Sequence, residues 1–215
     1  MHAGSGADYL SDRENRTRDY AVQVSEGQLS FFSAGARPAD VGDLEGLLCG
    51  PGQVVTQAGT ARISVIVHDS WRVHALLDAM DALGLEGGTA DAHGEGGTTV
   101  RTPFDPRLAP LAARWSGGGS KRAPADLSLD GPRLRWWAIA AGRHDPLGYS
   151  LHLGEQDEAV WPAVGAALVR AGLAAAQIGP RADGPAYRIT GQRRLARLRE
   201  LIGERPDGAP PDAWL

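Results

Sequence analysis

Two nine-residue stretches, Leu44-Glu-Gly-Leu-Leu-Cys-Gly-Pro-Gly52 and Leu134-Arg-Trp-Trp-Ala-Ile-Ala-Ala-Gly142, read as one element written twice. Each is an apolar run at helical length that ends at a glycine, the residue that most easily terminates a helix. The flanking sequence repeats in the same order. Asp40 or Asp43 can cap a helix that runs to Gly50, where Pro51 and Gly52 stop it. Val54-Val55 and Ile63-Ser-Val-Ile-Val67 are strands rich in β-branched residues. A second helix opens at His68-Asp-Ser-Trp and carries Val73, Leu76, Leu77, Met80 and Leu83 on one face until Gly84. A hairpin around Gly94-Glu-Gly-Gly97 with a return strand over 98–102, and a short helix over 107–115, complete the first series.

The second series predicts a helix over 134–141 and a strand pair around 148–153. An amphipathic helix follows over 159–171, entered through Asp157 and closed by Gly172. Strands near 176–178 and 187–190 and a last helix over 192–202 finish it. The spacing between matched residues is nearly constant: 90 from Leu44 to Leu134, 88 from Leu85 to Leu173 and 87 from Arg101 to Arg188. A steady offset over several elements marks an internal repeat. The chain divides into a polar arm (1–19), a hairpin extension (20–37), a first repeat (38–115), a linker (116–133), a second repeat (134–203) and a tail (204–215). The linker opens with a flexible Gly/Ser run and carries two apolar anchors, Leu127 and Leu129.

With 42% hydrophobic and 22% charged residues, the composition is that of a globular protein. No apolar run approaches the roughly 20 residues of a membrane span, and the first residues lack the layout of a signal peptide, so a cytoplasmic location and no membrane contact are expected. A single cysteine, Cys49, excludes an internal disulfide and a multi-cysteine zinc site. The six histidines show no metal-site spacing, and no metal or other cofactor is expected. Net charge is −4, but it is uneven: residues 1–100 hold 6 basic and 14 acidic residues, whereas 101–143 hold 8 and 3. Such asymmetry permits a basic surface on an acidic chain. Arginine outnumbers lysine 21 to 1, a bias that points to a GC-rich bacterial genome.

The paired elements resemble the signature of the LAGLIDADG homing endonucleases in their single-chain, two-repeat form, over about residues 40–203. The approach to the second element fits as well, with Trp115, Lys121, Ala123, Pro124, Leu127 and Leu134 in the family's order. The resemblance implies an α+β fold of two tandem αββαββα repeats, forming a pseudo-twofold saddle with two mixed or antiparallel sheets. It also implies a monomer with internal pseudo-symmetry. Its two signature helices pack side by side, and Gly46, Gly50, Ala138 and Ala141 supply the small residues for that contact. In the family, the residue before the last glycine of each element is an aspartate, and the pair shares divalent metal ions at the scissile phosphates. Here those positions are Pro51 and Ala141, which offer no side-chain oxygen to a hard cation. Glu45 and Asp145 are the nearest carboxylates. Magnesium is implied only if cleavage is retained through displaced ligands.

Lys121, the only lysine, falls where single-chain members place an active-site lysine. It is either a phosphate contact or a solvated linker residue. If the saddle persists, alternate strand residues face duplex DNA: Arg62, Ser64, Arg101, His152, Arg188 and Thr190, with Arg143 near the centre. Ile66 and Leu151 are expected to interrupt these polar rows. The basic helix at 192–202 has Leu195, Leu198 and Ile202 as its buried stripe, and Trp136-Trp137 anchor the core. The sequence thus favours a catalytically inactive homing-endonuclease-like protein that binds double-stranded DNA as a bacterial regulator. The competing readings are a protein-interaction module that no longer touches nucleic acid, an endonuclease with displaced metal ligands, and an RNA-binding maturase-like role. No protein partner is identifiable.

Overall fold

A computed structural model of the chain describes residues 33–35, 37–92, 96–117, 119–179 and 184–215. The arm at 1–19, nearly all of the hairpin extension at 20–37 and the tip of the hairpin near Gly94 lie outside the described residues. Asp40 opens the first repeat by accepting the amide of Gly42 at 2.8 Å, while Asp43 accepts the amide of Asp40 at 3.0 Å. This reciprocal capping box starts a 3-10 turn, Val41–Leu44, that continues into helix α1 (Glu45–Cys49). Strands β1 (Gln53–Gln57) and β2 (Thr60–Val67), helix α2 (Ser70–Ala82), strands β3 (Gly88–Ala92) and β4 (Gly97–Arg101), and helix α3 (Ala109–Trp115) follow.

The second repeat has the same order: α4 (Gly131–Ala141), then the strands here numbered β7 (Gly142–Asp145) and β8 (Gly148–His152), α5 (Trp161–Arg170), β9 (Ala176–Ile178), β10 (Ala186–Ile189) and α6 (Gln192–Ile202). Each repeat builds a four-stranded antiparallel sheet, ordered β1-β2-β4-β3 in the first and β7-β8-β10-β9 in the second. The fold is therefore two tandem αββαββα repeats. Helix α4 begins at Gly131, earlier than the apolar run indicates, because Asp130 caps it through the amide of Arg133 and Pro132 fits the first turn. Between the repeats, the Gly/Ser stretch is not a loose tether. Strands β5 (Ser116–Gly117) and β6 (Ser120–Lys121) pair as a two-residue ladder, and Leu127 and Leu129 are buried beyond it.

Helices α1 and α4 run side by side in the same direction, with Gly46 against Arg133 and Trp136 and Gly50 against Trp137. A methyl group at Gly46 would lie 1.9 Å from the carbonyl oxygen of Arg133, and one at Gly50 would lie 2.7 Å from the Trp137 ring. Ala138 is fully buried in this contact, whereas Ala141 is only partly buried. Trp137 fills the centre and donates from Nε1 to the carbonyl of His152 at 2.7 Å. Leu44, Leu47, Leu48, Ile63, Leu76, Met80, Tyr149, Leu151 and Ile189 belong to the same buried core. The last helix buries Leu198, Leu201 and Ile202, while Leu195 is only partly covered. The tail beyond it packs as well: Trp214 is buried and donates to the carbonyl of Gly203 at 3.0 Å.

Two outcomes follow. Gly46→Ala forces backbone apart and should cost about 3 kcal/mol or more of stability, whereas Gly88→Ala, with open space at its Cβ, should stay within about 0.5 kcal/mol. Equal urea midpoints for the two variants would overturn the close approach. At the start of α4, burial pushes the Asp130 carboxyl up, but the Arg133 amide and the charges of Arg133 and Arg37 outweigh it and hold the group below its usual value. A depressed folded value means that its stabilisation is complete above about pH 5 and is lost progressively as pH falls through the folded value. Asp130→Asn should therefore flatten the acid limb of thermal stability between about pH 5 and about pH 2, and an unchanged limb would contradict the assignment.

Candidate nucleic-acid interface

Strand alternation gives each sheet one face toward the helices and one away from them. On β2, Ala61, Ile63, Val65 and Val67 are buried, and Arg62, Ser64 and Ile66 point to the other side. Ladder register places Gln53, Ser64, Arg101 and Gly88 in one row across that open face. In the second sheet, the corresponding row is Arg143, Ser150, Arg188 and Ala176. A serine thus faces an arginine on the two central strands of both sheets. The described strand residues on the open face of the first sheet include no carboxylate, although residues 1–100 are acidic overall. On the second sheet, Asp145 is the one acidic strand residue on that face.

The residues expected to face DNA share these surfaces. Arg62, Ser64 and Arg101 lie on the first, and Arg143, His152 and Arg188 on the second; Thr190 follows one residue after β10. Their states differ. Arg62 stacks its guanidinium 4.1 Å from the centre of the Phe104 ring. Arg101 has no ion pair or side-chain hydrogen bond among the described residues. Arg143 and His152 are both engaged in further interactions. Arg188 Nε donates to Asp145 Oδ2 at 2.9 Å, and Ser150 Oγ donates to the same oxygen at 2.6 Å. The carbonyl of Thr190 accepts from Arg194. Ile66 does interrupt the first face, but Leu151 does not interrupt the second. It is fully buried on the helix side, opposite Gly142 and Tyr187, one residue out of phase with the polar row.

Lys121 is neither a solvated linker residue nor directed at solvent. The β5–β6 ladder returns the chain to the end of α1, where Nζ donates to the carbonyls of Gly50 and Gly52 at 2.8 Å each and to Asp157 Oδ2 at 2.7 Å. Its side chain is 4% exposed. Burial pushes the ammonium down, against the ion pair with Asp157. The cation thus straddles Pro51, satisfying carbonyls that a helix end leaves without partners. A second buried cation does the same at the end of α4. Arg72 donates to the carbonyls of Ala138 at 3.2 Å, Ile139 at 2.5 Å and Gly142 at 2.6 Å, and is steadied by Asp69 at 2.8 Å. Sequence reading missed Arg72, although its spacing to Leu76 and Met80, both fully buried, places it on the inner face of α2.

The nearest carboxylates are also committed. Glu45 is buried and accepts from Trp115 Nε1 at 3.2 Å and Arg133 Nε at 2.8 Å, at the opposite end of α1 from Pro51. Asp157 holds Lys121 and Gln53 Nε2. Among the described residues, no group of three or more His, Cys, Asp or Glu side chains is placed to hold a metal ion. The side chains present at the helix ends therefore do not fit a shared divalent cation: they bring cations of their own. Cys49 is buried beside α4, and burial pushes its thiol well up, so it packs as a small apolar group.

No protein-family model matches the chain, and no curated protein matches it in sequence. Solved structures do match in three dimensions. The homing endonuclease I-WcaI, bound to its DNA recognition sequence, aligns with a TM-score of 0.56 at 12% identity, over 94% of this chain and 90% of that one. The chain has a LAGLIDADG-like fold. The N-terminal LAGLIDADG domain of WhiA aligns with a TM-score of 0.51 at 13% identity, covering 80% of this chain and 89% of the domain. Full-length WhiA from Thermotoga maritima gives 0.53 at 13% identity over 76% of this chain, which spans 55% of that protein's length. In this LAGLIDADG-like fold the signature helices are α1 and α4, and both of their C-terminal ends carry a buried cation. No helix among the described residues is long and apolar enough to cross a membrane.

Lys121→Met strands Asp157 without its cation and should cost about 3–5 kcal/mol. Adding Asp157→Asn should recover part of that loss but not all, because the carbonyls of Gly50 and Gly52 also lose their donor. A double-mutant cycle in urea measures the coupling, and additive losses would show that the pair is not a buried unit.

Proposed function

We propose that this chain binds double-stranded DNA along the open faces of its two sheets and does not cleave it: a homing-endonuclease-like scaffold kept as a reader, acting as a monomer in the bacterial cytoplasm, in the role of a regulator. The observation that carries this reading is the matched pair of rows, Gln53–Ser64–Arg101–Gly88 and Arg143–Ser150–Arg188–Ala176, on faces whose described strand residues include one carboxylate, Asp145. Net charge of the whole chain matters less than charge on the surface that meets phosphate. The two faces, bearing Arg62 and Arg101 on one and Arg143 and Arg188 on the other, supply up to four cations. The affinity it gives should fall with salt at a log–log slope of about −3 to −4.

Cleavage requires oxygen ligands for metal ions beside the scissile phosphates. Pro51 and Ala141 supply none, and the surrounding carboxylates are held by Lys121, Arg133 and Arg188. Lys121 supports the inactive reading from a new direction, since it is committed to the helix end and has no donor left for DNA. A competing role as a protein-interaction module rests on the net charge of −4 and on the pairing of Arg188 with Asp145.

The test is a salt titration of binding to a random-sequence duplex pool, with a supercoiled plasmid incubated in Mg²⁺ alongside. Salt-sensitive retention without nicking is expected. Arg101→Ala should weaken all sequences alike and reduce the salt slope by about 1. Absence of retention at low salt would favour the interaction module, and Mg²⁺-dependent nicking that scales with the protein would revive the nuclease.

A further inference from the structure

Arg101 and Arg188 occupy the same place in their rows, opposite Ser64 and Ser150, yet only one of them is braced. Arg101 carries no ion pair or side-chain hydrogen bond among the described residues. Arg188 is held through Nε by Asp145 Oδ2 at 2.9 Å. Asp145 is fixed in turn by Ser150 Oγ at 2.6 Å and by the amide of Leu147, which donates to Oδ1 at 2.8 Å. Burial raises the Asp145 carboxyl, but these three donors outweigh it and hold it below its usual value, so it stays ionised at neutral pH. The brace engages only Nε. The terminal pair, Nη1 and Nη2, has no partner among the described residues, and the Arg188 side chain keeps 28% of its surface open.

A guanidinium held at Nε presents its two terminal nitrogens as a rigid fork. That fork matches the O6 and N7 acceptors of guanine in the major groove. The adjacent carboxylate cancels much of the positive charge, which weakens attraction to a phosphate. A neutral base edge needs two correctly placed donors and no net charge. The surroundings suit close approach: Ala176, an exposed small residue, lies opposite Arg188 in the ladder and adds little bulk beside it. Resting on the DNA-binding reading above, we propose that Arg188 reads a guanine in the half-site under the second sheet, with Asp145 as its positioning residue, whereas Arg101 meets the backbone of the other half-site without reading sequence.

The experiment is selection from a random duplex library, followed by affinity and salt-slope measurements on the enriched duplex and on variants with the selected G·C pair replaced. Wild-type protein should enrich a fixed guanine in one half-site, with a loss of about 5- to 100-fold when that pair is changed. Arg188→Lys keeps the charge but lacks the fork, so it should lose this preference while keeping the salt slope and its binding to unselected duplex. Asp145→Asn should relax the preference and steepen the salt slope toward that of an unbraced arginine. Arg101→Ala should leave the preference intact. A guanine preference that survives Arg188→Lys, or an enriched motif without such a guanine, overturns this assignment while leaving DNA binding in place. Failure of the wild-type protein to retain any duplex at low salt overturns both.

Discussion

The two signature helices meet backbone to backbone at Gly46, and most of the surrounding structure follows from holding them there. With no side chain of its own at Gly46, α1 packs directly on the Arg133 carbonyl and Trp136 Cβ of α4, and the two helices run in the same direction. Two parallel helices side by side align their dipoles unfavourably, with both sets of unpaired amides at one end and both sets of unpaired carbonyls at the other. The chain answers with charges of the right sign at each end. Asp40, Asp43 and Asp130 take up the amides at the start, with Arg37 and Arg133 linking their carboxylates. Lys121 and Arg72 take up the carbonyls at the finish. Each such charge is worth about 0.3–2 kcal/mol at a helix end, and the buried ones are also needed to avoid unpaired carbonyls.

That electrostatic demand bears on the helix ends at Pro51 and Ala141, which carry no carboxylate. In the endonuclease family the resemblance implies carboxylates and metal ions at the paired helix ends, which again bring positive charge close to exposed carbonyls. In this chain the positive charge belongs to side chains that are buried and internally bonded. Pro51 and Ala141 alone would leave an endonuclease missing two ligands. In this chain Lys121 and Arg72 supply positive charge to the carbonyls at the two helix ends from within the fold.

The repeat was legible in sequence because it is written in periodicity and punctuation. Helix α6 spans Gln192–Ile202 as its apolar spacing indicates, and α2 ends where Gly84 adopts a positive φ of 64°. The candidate face was legible for the same reason, since strand alternation fixes which side each residue takes once the strand is known. Leu151 shows how narrow that margin is: one residue of phase moves it from the polar row to the core. The partners of long side chains were not legible. Lys121 is separated from Gly50 by 71 positions and Arg72 from Gly142 by 70, and no local pattern encodes such reach. A polar residue on the inner face of a helix, as at Arg72, is the local sign that a distant partner must exist.

The same distinction resolves the tension between an acidic chain and the proposed nucleic-acid face. Many of the arginines are spent as internal fastenings: Arg107 caps the end of α2 at the carbonyls of Leu83 and Gly84, and Arg135 holds those of Ile202 and Glu204 while stacking near Trp214. Counting residues therefore overstates the cations open to solvent, just as net charge understates what the open sheet faces present. Guanidinium groups serve both ends because a planar fork can satisfy two carbonyls inside the protein or two acceptors on a base outside it. Which of these an arginine does is decided by where its strand or helix places it. Arg188, braced at one nitrogen and open at two, stands at the boundary between the two uses.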